Sequence, residues 1–591
     1  MANLLKLKYI LYTLVLIVAF NRVNAQAINE TDKCFLFFKT WNFLKYYHPQ
    51  FAGGKKDADS FFLNKQFLLN KVSNRIELNA LLAGMIDDLD GSTAGDLKNA
   101  DFKTLENNLL HKWYLKNDLI NGTLKKRLLS SYLQRDTLGQ HYVPAKNYDS
   151  EIPNERVYKY PDSTNLPPEM RLLTLAKLQG VIDYLYPHKS LMNENWDQTV
   201  KNNILLFKKC NSRMDYEILL LKIVAKLNDS HAYNRFYNTL IYKKEIFKNS
   251  YYPPFAYKIL DDKILVTKVI VPTLCTEAGI KVGNLITAIN KQSVTKRING
   301  LGELLSASNR NTLVFKLNDY VTNFIWAGDS AHFQLEISSS GKKKLINALF
   351  VTPENKAERK TISNYLITKA KVEATNEPFR ILNNKIAYFN IDSIHELLNG
   401  INEDRVDARM DSIFNLAAQQ KGIIFDMRGY PHWGGFVFHY IYKKFAKQHN
   451  IFAQYFQADV KNLGHFSSIP GTFTYYPDGE ITDHYSYKGK VYIIVNAQTH
   501  SLSEWNTMNL QFVFPNAITI GEQTSGADGD EKSINIPGNY SIHFTGNAIY
   551  YPDGTLAQGK GVKINQTVKS KISDILTGAD TQLIFAVNAI K

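Results

Sequence analysis

Thr499-His500-Ser501-Leu502-Ser503-Glu504 follows an apolar, β-branched run at residues 491–495. A buried strand running into a tight turn, a serine and then a helix lifts one hydroxyl above the sheet edge. The free N–H groups and dipole of the helix N-terminus suit a developing oxyanion there. A serine hydroxyl is a poor nucleophile alone and needs an adjacent base. Ser501-x-x-Glu504 is also a capping-box pattern, in which Ser501 is only an N-cap. A second loop, Phe425-Asp426-Met427-Arg428-Gly429-Tyr430-Pro431 with Gly434-Gly435 behind it, ends a strand in three glycines and a proline. Such a loop can bring backbone N–H groups against a ligand, or it is a plain surface turn. The third group is Asn228-Asp229-Ser230-His231. Histidine titrates near neutrality, so His231 has the chemistry of a general base; it equally suits an exposed turn.

Four blocks must position these groups. Residues 26–143 read as helical, with leucines at three- and four-residue spacing. Residues 144–170 hold Pro144, Pro153, Pro161, Pro167 and Pro168 among polar residues and read as a linker. Residues 171–249 read as helical again and carry His231. The two helical blocks resemble each other: Trp41-Asn42-Phe43-Leu44-Lys45-Tyr46-Tyr47-His48-Pro49 matches Gln179-Gly180-Val181-Ile182-Asp183-Tyr184-Leu185-Tyr186-Pro187. Asp90 follows Pro49 by 41 positions and Asp229 follows Pro187 by 42, each in a short acidic turn. The pattern is a degenerate internal duplication, or a chance likeness of two helical stretches. Ser92 stands in the first turn where His231 stands in the second, so the two turns cannot share a chemistry. Residues 250–355 change to a strand period, clearest at 263–271. Residues 380–591 alternate strands (385–391, 422–425, 490–496, 517–521) with helices (403–420, 503–514). That alternation predicts a layered, largely parallel α/β unit with its chemistry at the strand carboxyl ends.

Two resemblances extend this reading. Glu277-Ala278-Gly279-Ile280-Lys281-Val282-Gly283-Asn284-Leu285-Ile286, with Ala288-Ile289-Asn290 after it, resembles a PDZ domain, with Asn284 in place of the usual aspartate. The likeness implies capture of an extended peptide, often a C-terminus, as an added strand. The block from about 380 to 591 resembles the C-terminal-processing (tail-specific) serine peptidases, and among them the tricorn-core branch. Four ordered motifs carry it. Residues 426–435 match "asp-leu-arg-gly-asn-x-gly-gly" with two extra residues. Residues 499–504 match "thr-ala-ser-ala-ser-glu", which puts the nucleophile at Ser501. Gly521-Glu522-Gln523-Thr524-Ser525-Gly526 matches "gly-glu-x-thr-x-gly". Gly554-Thr555-Leu556-Ala557-Gln558-Gly559-Lys560-Gly561-Val562 sits at the late "gly-x-x-x-glu-x-x-gly-val". The implied fold is multidomain α/β (α+β): helical regions with a degenerate duplication, a PDZ-like β domain, and a ClpP/crotonase-like peptidase core.

The departures bear on mechanism. A Ser–Lys pair would need lysine directly after Gly526; this chain has Ala527 there, with Lys532 five residues on. The tricorn-like branch instead uses histidine within a "ser-his" pair, which Ser230-His231 matches. The resemblance therefore implies Ser501 as nucleophile, His231 as general base and Ser230 as its helper. It also implies the Leu502 and Gly429 amides as oxyanion donors, and Gln558 as the residue that positions the histidine. Gln558 replaces the branch's glutamate and brings no full charge, so a slow enzyme is expected, or one whose histidine is supported by another carboxylate. Asp229 is a candidate, although two residues upstream is an awkward reach, and Glu522 is a weaker one. The implied activity is a serine endopeptidase acting on protein or peptide substrates, without metal or cofactor. Two alternatives stay open: a non-catalytic peptide binder on the same scaffold, and a carrier of small apolar ligands, since a vertebrate retinoid-binding relative uses this core fold.

Composition bounds the rest. The chain has 591 residues, 45% apolar and 21% charged, with a formal net charge of +15. Roughly 150 residues per domain gives about four domains. Disordered, fibrous and collagen-like classes are excluded. No dense Lys/Arg block points to nucleic acid. Cys34, Cys210 and Cys275 have neither zinc spacing nor a disulfide framework. Lys6 and Lys8, an apolar run at 9–20, and Val23-Asn24-Ala25 read as a secretory signal cleaved before Gln26, or as a retained anchor. Export to the periplasm or medium is expected, with no membrane span in the mature chain.

Overall fold

The computed structural model describes residues 27–89, 113–136, 141–144, 150–161, 163–234, 245–339, 342–373, 377–447, 452–468 and 485–590. The expected signal at 1–25 and the first-copy turn Asp90-Gly91-Ser92 lie outside the described residues. Two compact units form. Unit 1 is Met1–Leu219 with Ala458–Ser467 and Lys532–Ile542; unit 2 is Leu220–Gln457 with Ser468–Glu531 and His543–Lys591. The division falls inside the second helical region, so His231 belongs to the unit that holds Ser501.

In unit 1, α1 (Glu30–Tyr47), α2 (Ala58–Leu69), α3 (Pro168–Leu185) and α4 (Trp196–Lys209) build the core. The helices α1 and α3 are 18 residues each and pack through equivalent positions of the two sequence copies. Tyr46 meets Tyr184 with ring centroids 4.6 Å apart. Asn42 lies on Gly180 so closely that a Cβ there would sit 2.0 Å from Asn42 Oδ1. Lys39 and Lys177 each stand ten residues before the copy's proline, and Asp59 and Asp197 ten after it. They pair crosswise, Lys39–Asp197 at 2.7 Å and Lys177–Asp59 at 2.8 Å. Such reciprocal pairing is what a duplicated, self-complementary helix pair produces. The segment read as a linker threads into this core: Ile152 and Leu166 are buried, and Glu155 pairs with Lys45 and Lys177.

Unit 2 contains two sheets relevant to the site. The first is antiparallel, in the order β1 (Phe255–Leu260), β2 (Lys263–Val269), β3 (Leu285–Ile289), β4 (His332–Ser339), β5 (Lys342–Leu349). Helices α5 (Pro272–Ala278), α6 (Val294–Gly302) and α7 (Arg310–Leu317) accompany it.

The second sheet uses β6 (Phe379–Leu382), β7 (Ile386–Asn390), β8 (Gly422–Asp426), β9 (Lys490–Val495), β10 (Ile518–Gly521) and β12 (Gln566–Thr567), in the order β12-β10-β9-β8-β7-β6. The strand β11 (Tyr540–Thr545) lies outside it. All neighbours from β7 to β12 are parallel, and β6 alone is antiparallel. Alternate side chains feed opposite layers. Ile423, Phe425 and Ile493 pack with Met410 and Phe414 of α8 (Val406–Ala418) and Met508 of α9 (Leu502–Val513). Ile424, Tyr492 and Ile494 pack with Ala586 and Ile590 of α10 (Thr581–Ile590). Burial on both faces explains why β8 and β9 are continuous apolar runs. Gly521 ends β10 at φ 128°, where a Cβ would lie 2.0 Å from the Val495 carbonyl oxygen.

Candidate active site

Ser501 sits where β9 turns into α9, at φ 52° and ψ −119°. An L-residue adopts that backbone only under strain, of order 1–3 kcal/mol, and only if its surroundings impose it. They do. Thr499 and Ser503 both donate their hydroxyls to the Met427 carbonyl, at 2.8 and 2.9 Å. The Glu504 carboxylate, 0% exposed, accepts from Thr524 Oγ1 and from the N–H groups of Gly526 and Ala527. Burial raises its pKa to about 7 against these bonds. Ser501 itself makes no side-chain capping bond. Of the two readings of Ser501-x-x-Glu504, the ordinary N-cap is therefore not what forms. The turn holds Ser501 in a strained strand-to-helix elbow.

His231 is buried in unit 2. Its ring packs on that of His500, with centroids 4.6 Å apart, and His500 is bonded directly to Ser501 in the chain. Burial lowers the pKa of both imidazoles, and for His500 the neighbouring His231 adds to it. Both rings are then neutral near pH 7, the state in which an imidazole can accept a proton. The turn carrying His231 is clamped. Ser230 Oγ donates to the Ser525 carbonyl at 3.0 Å and accepts from the Ser308 N–H at 2.9 Å. Ser306 Oγ donates to the Asp229 carbonyl at 2.8 Å, and Lys316 Nζ to the Ser306 carbonyl at 2.6 Å. Burial pushes Lys316 down to about 8.

Two expected roles need correction. Gln558 does not touch His231. Thr545 does: His231 Nδ1 lies 3.0 Å from Thr545 Oγ1. Gln558 Nε2 instead donates to Asp229 Oδ1 at 3.1 Å, and its Oε1 is buried without a partner. The Gly429 amide is not free either. It donates to the Met427 carbonyl at 3.0 Å, and the next amide, the Tyr430 N–H, donates to Asp392 Oδ1 at 3.2 Å. Leu502, the first residue of α9, is the expected donor that keeps its place at a helix N-terminus. The charges acting on Glu522 are Lys258, Lys569 and Asp261, and His231 is not among them.

Thr545, His500 and Lys316 were not singled out by sequence. Thr545 and Lys316 carry no motif. His500 did leave a signal, since it replaces the alanine of "thr-ala-ser". Among the described residues no group of three or more His, Cys, Asp or Glu is arranged to hold a metal ion. No described helix is long and apolar enough to cross a membrane.

A cavity of about 2370 Å³ runs through unit 2. Ala256 and Lys258 of the edge strand β1, Val314 and Phe315 of α7, and Gln523 line it, and it reaches Ser230 and residues 496–498 of the turn before Ser501. One free-edge donor of β1, the Ile259 N–H, is taken by Asn318 Oδ1 at 2.6 Å.

The core is layered α/β, with a strained serine at a strand–helix turn and a buried histidine packed on the ring of the residue before that serine. Residues 385–568 match Peptidase family S41, and the chain carries a peptidase S41 domain. Mature CPAF complexed with lactacystin shares the fold: TM-score 0.51, 12% identity, 72% of this chain and 98% of that one. A second structure of mature CPAF gives 0.48, 11%, 72% and 97%. The photosystem II D1 C-terminal processing protease gives 0.33, 13%, 70% and 98%. At 12% identity the likeness to the first of these is one of fold. No curated protein matches the chain.

Proposed function

We propose that this protein is an exported serine endopeptidase that takes an extended peptide along β1 and cleaves it at Ser501. The observation that carries the reading is the strained Ser501, uncapped and next to His500, against whose ring the neutral His231 packs. Ser501 Oγ attacks the scissile carbonyl, His231 takes its proton, and the Leu502 N–H meets the oxyanion. The cavity supports delivery from the PDZ-like sheet, because it joins the β1 edge to the turn before the nucleophile. Export rests on the signal-like first 25 residues.

Cleavage of a peptide library by wild type and Ser501→Ala tests this. Wild type is expected to cut, and the variant to lose on the order of 10³-fold or more in turnover with its fold intact. Equal cleavage by both proteins overturns the assignment. The non-catalytic peptide binder is the second reading, favoured by the Gly429 amide being committed to Met427. It expects no cleavage by either protein and retained peptide binding.

A further inference from the structure

The branch's glutamate is absent, yet the structure buries a carboxylate two bonds behind His231. Asp229 is 0% exposed. Its Oδ1 accepts from the His231 N–H at 3.0 Å, from Thr545 Oγ1 at 2.8 Å and from Gln558 Nε2 at 3.1 Å. Its Oδ2 accepts from the Thr545 N–H at 2.7 Å. Four neutral donors converge on it. The proton of the Thr545 hydroxyl points to Asp229, so toward His231 that oxygen has only lone pairs to offer. The His231 Nδ1 contact at 3.0 Å must then be Nδ1–H donating to Thr545 Oγ1.

From this geometry we infer that Asp229 and Thr545 form a carboxylate–hydroxyl relay that fixes the His231 tautomer and supports its imidazolium. The relay replaces the direct carboxylate contact, and it deepens the serine-peptidase reading on which it rests. With Nδ1 carrying hydrogen, Nε2 holds the free lone pair and is the atom that takes the Ser501 proton. No proton leaves Nδ1, and none is passed on to Asp229. The partner of His231 Nδ1 is Thr545 Oγ1, while Asp229 takes the His231 backbone N–H and the Thr545 hydroxyl. The Thr545 hydroxyl spans the gap. Both are positioning residues.

Gln558 then has a physical reason. Its amide donates to Asp229 Oδ1, where a glutamate would set a second negative oxygen about 3 Å from the first. The carboxylate of this cluster stands at position 229, and the amide at 558 donates to it.

The charges facing His231 are Asp229, Glu531 and Asp530, which favour its protonated form, and Lys316, which opposes it; His500 packs on its ring. Removing the Asp229 charge lowers the histidine pKa, so the acid limb of kcat/KM moves to lower pH.

The test uses Thr545→Val, which is isosteric, Thr545→Ser, which keeps the hydroxyl, Asp229→Asn and Gln558→Glu. Expected are a fall in kcat on the order of 10²–10⁴ for Thr545→Val with KM little changed, and recovery in Thr545→Ser. Asp229→Asn should shift the acid limb down, and Gln558→Glu should bring no gain in kcat/KM. A readout independent of turnover is the imidazole ¹⁵N spectrum of His231 in the Ser501→Ala protein. Nδ1–H is expected, and Thr545→Val should abolish that preference. An Nε2–H tautomer, or one unchanged by Thr545→Val, overturns the relay even if Ser501 proves to be the nucleophile. A gain in kcat/KM for Gln558→Glu with a neutral Thr545→Val assigns the orienting role to position 558 and overturns it too. Loss of the peptidase reading shows itself separately, as full cleavage by Ser501→Ala.

Discussion

The helical core of unit 1 and the serine turn of unit 2 both bury carboxylates, and they satisfy them in opposite ways. In unit 1, Asp183 and Glu155 face lysines: Lys39 with Asp183 at 2.8 Å and Lys177 with Glu155 at 2.9 Å. Burial disfavours every one of these charges, yet their partners outweigh it. Asp183 and Glu155 stay below, and Lys39 and Lys177 above, their ordinary pKa values. In unit 2, Glu504 and Asp229 receive only hydroxyl, amide and backbone donors. Charge balanced by charge makes a frame that stays put across neutral pH. Glu504, held by dipoles, has its pKa raised to about 7, close to a change of protonation at neutral pH, which suits a site that moves protons.

Breaking the frame should have the largest effect. Lys177→Met leaves Asp59 buried without its cation and Glu155 with Lys45 alone, at a loss of about 3–5 kcal/mol. Hydrogen exchange of the α1 and α3 peptides reads it; unchanged protection would show the pairs to be ornamental. Next comes pH. The folded pKa of Glu504 is raised from 4.5 to about 7. Between those values the unfolded chain gives up the proton and the folded chain keeps it. Its contribution is thus full below 4.5 and lost as pH rises through 7, about 3 kcal/mol in all. Asp183 and Glu155, with lowered values, instead lose their contribution only in acid. Denaturant titrations at pH 5 and pH 8 should therefore differ less for Glu504→Gln than for wild type; identical differences would contradict the burial argument. The smallest effect concerns Ser501. Ser501→Gly relieves a positive φ and should stabilise unit 2 by about 1 kcal/mol while abolishing turnover. An N-cap serine predicts a loss of a few tenths instead.

Much of this was legible in sequence, and the failures share one cause. The core strands at 422–426 and 490–495 were readable because a strand buried on both faces is an unbroken apolar run. Ser501 was readable because its turn carries a motif. The crosswise pairs Lys39–Asp197 and Lys177–Asp59 follow from the duplication, but only their equal offsets hint at it. Glu155 reads as a solvated charge among prolines, and it is buried because Lys45 and Lys177 come from distant positions. Gln558 and Gly429 were misassigned because a motif gives order along the chain. It says nothing of a threonine hydroxyl inserted between two partners, or of an aspartate that accepts from the loop.

The most direct test of the central claim is mass-spectrometric mapping of a fluorophosphonate adduct on the full chain. The account predicts one adduct, on Ser501, absent in Ser501→Ala and formed on the order of 10²-fold or more slowly in His231→Gln. An unlabelled Ser501 in folded protein, or labelling that proceeds equally fast without His231, would contradict it.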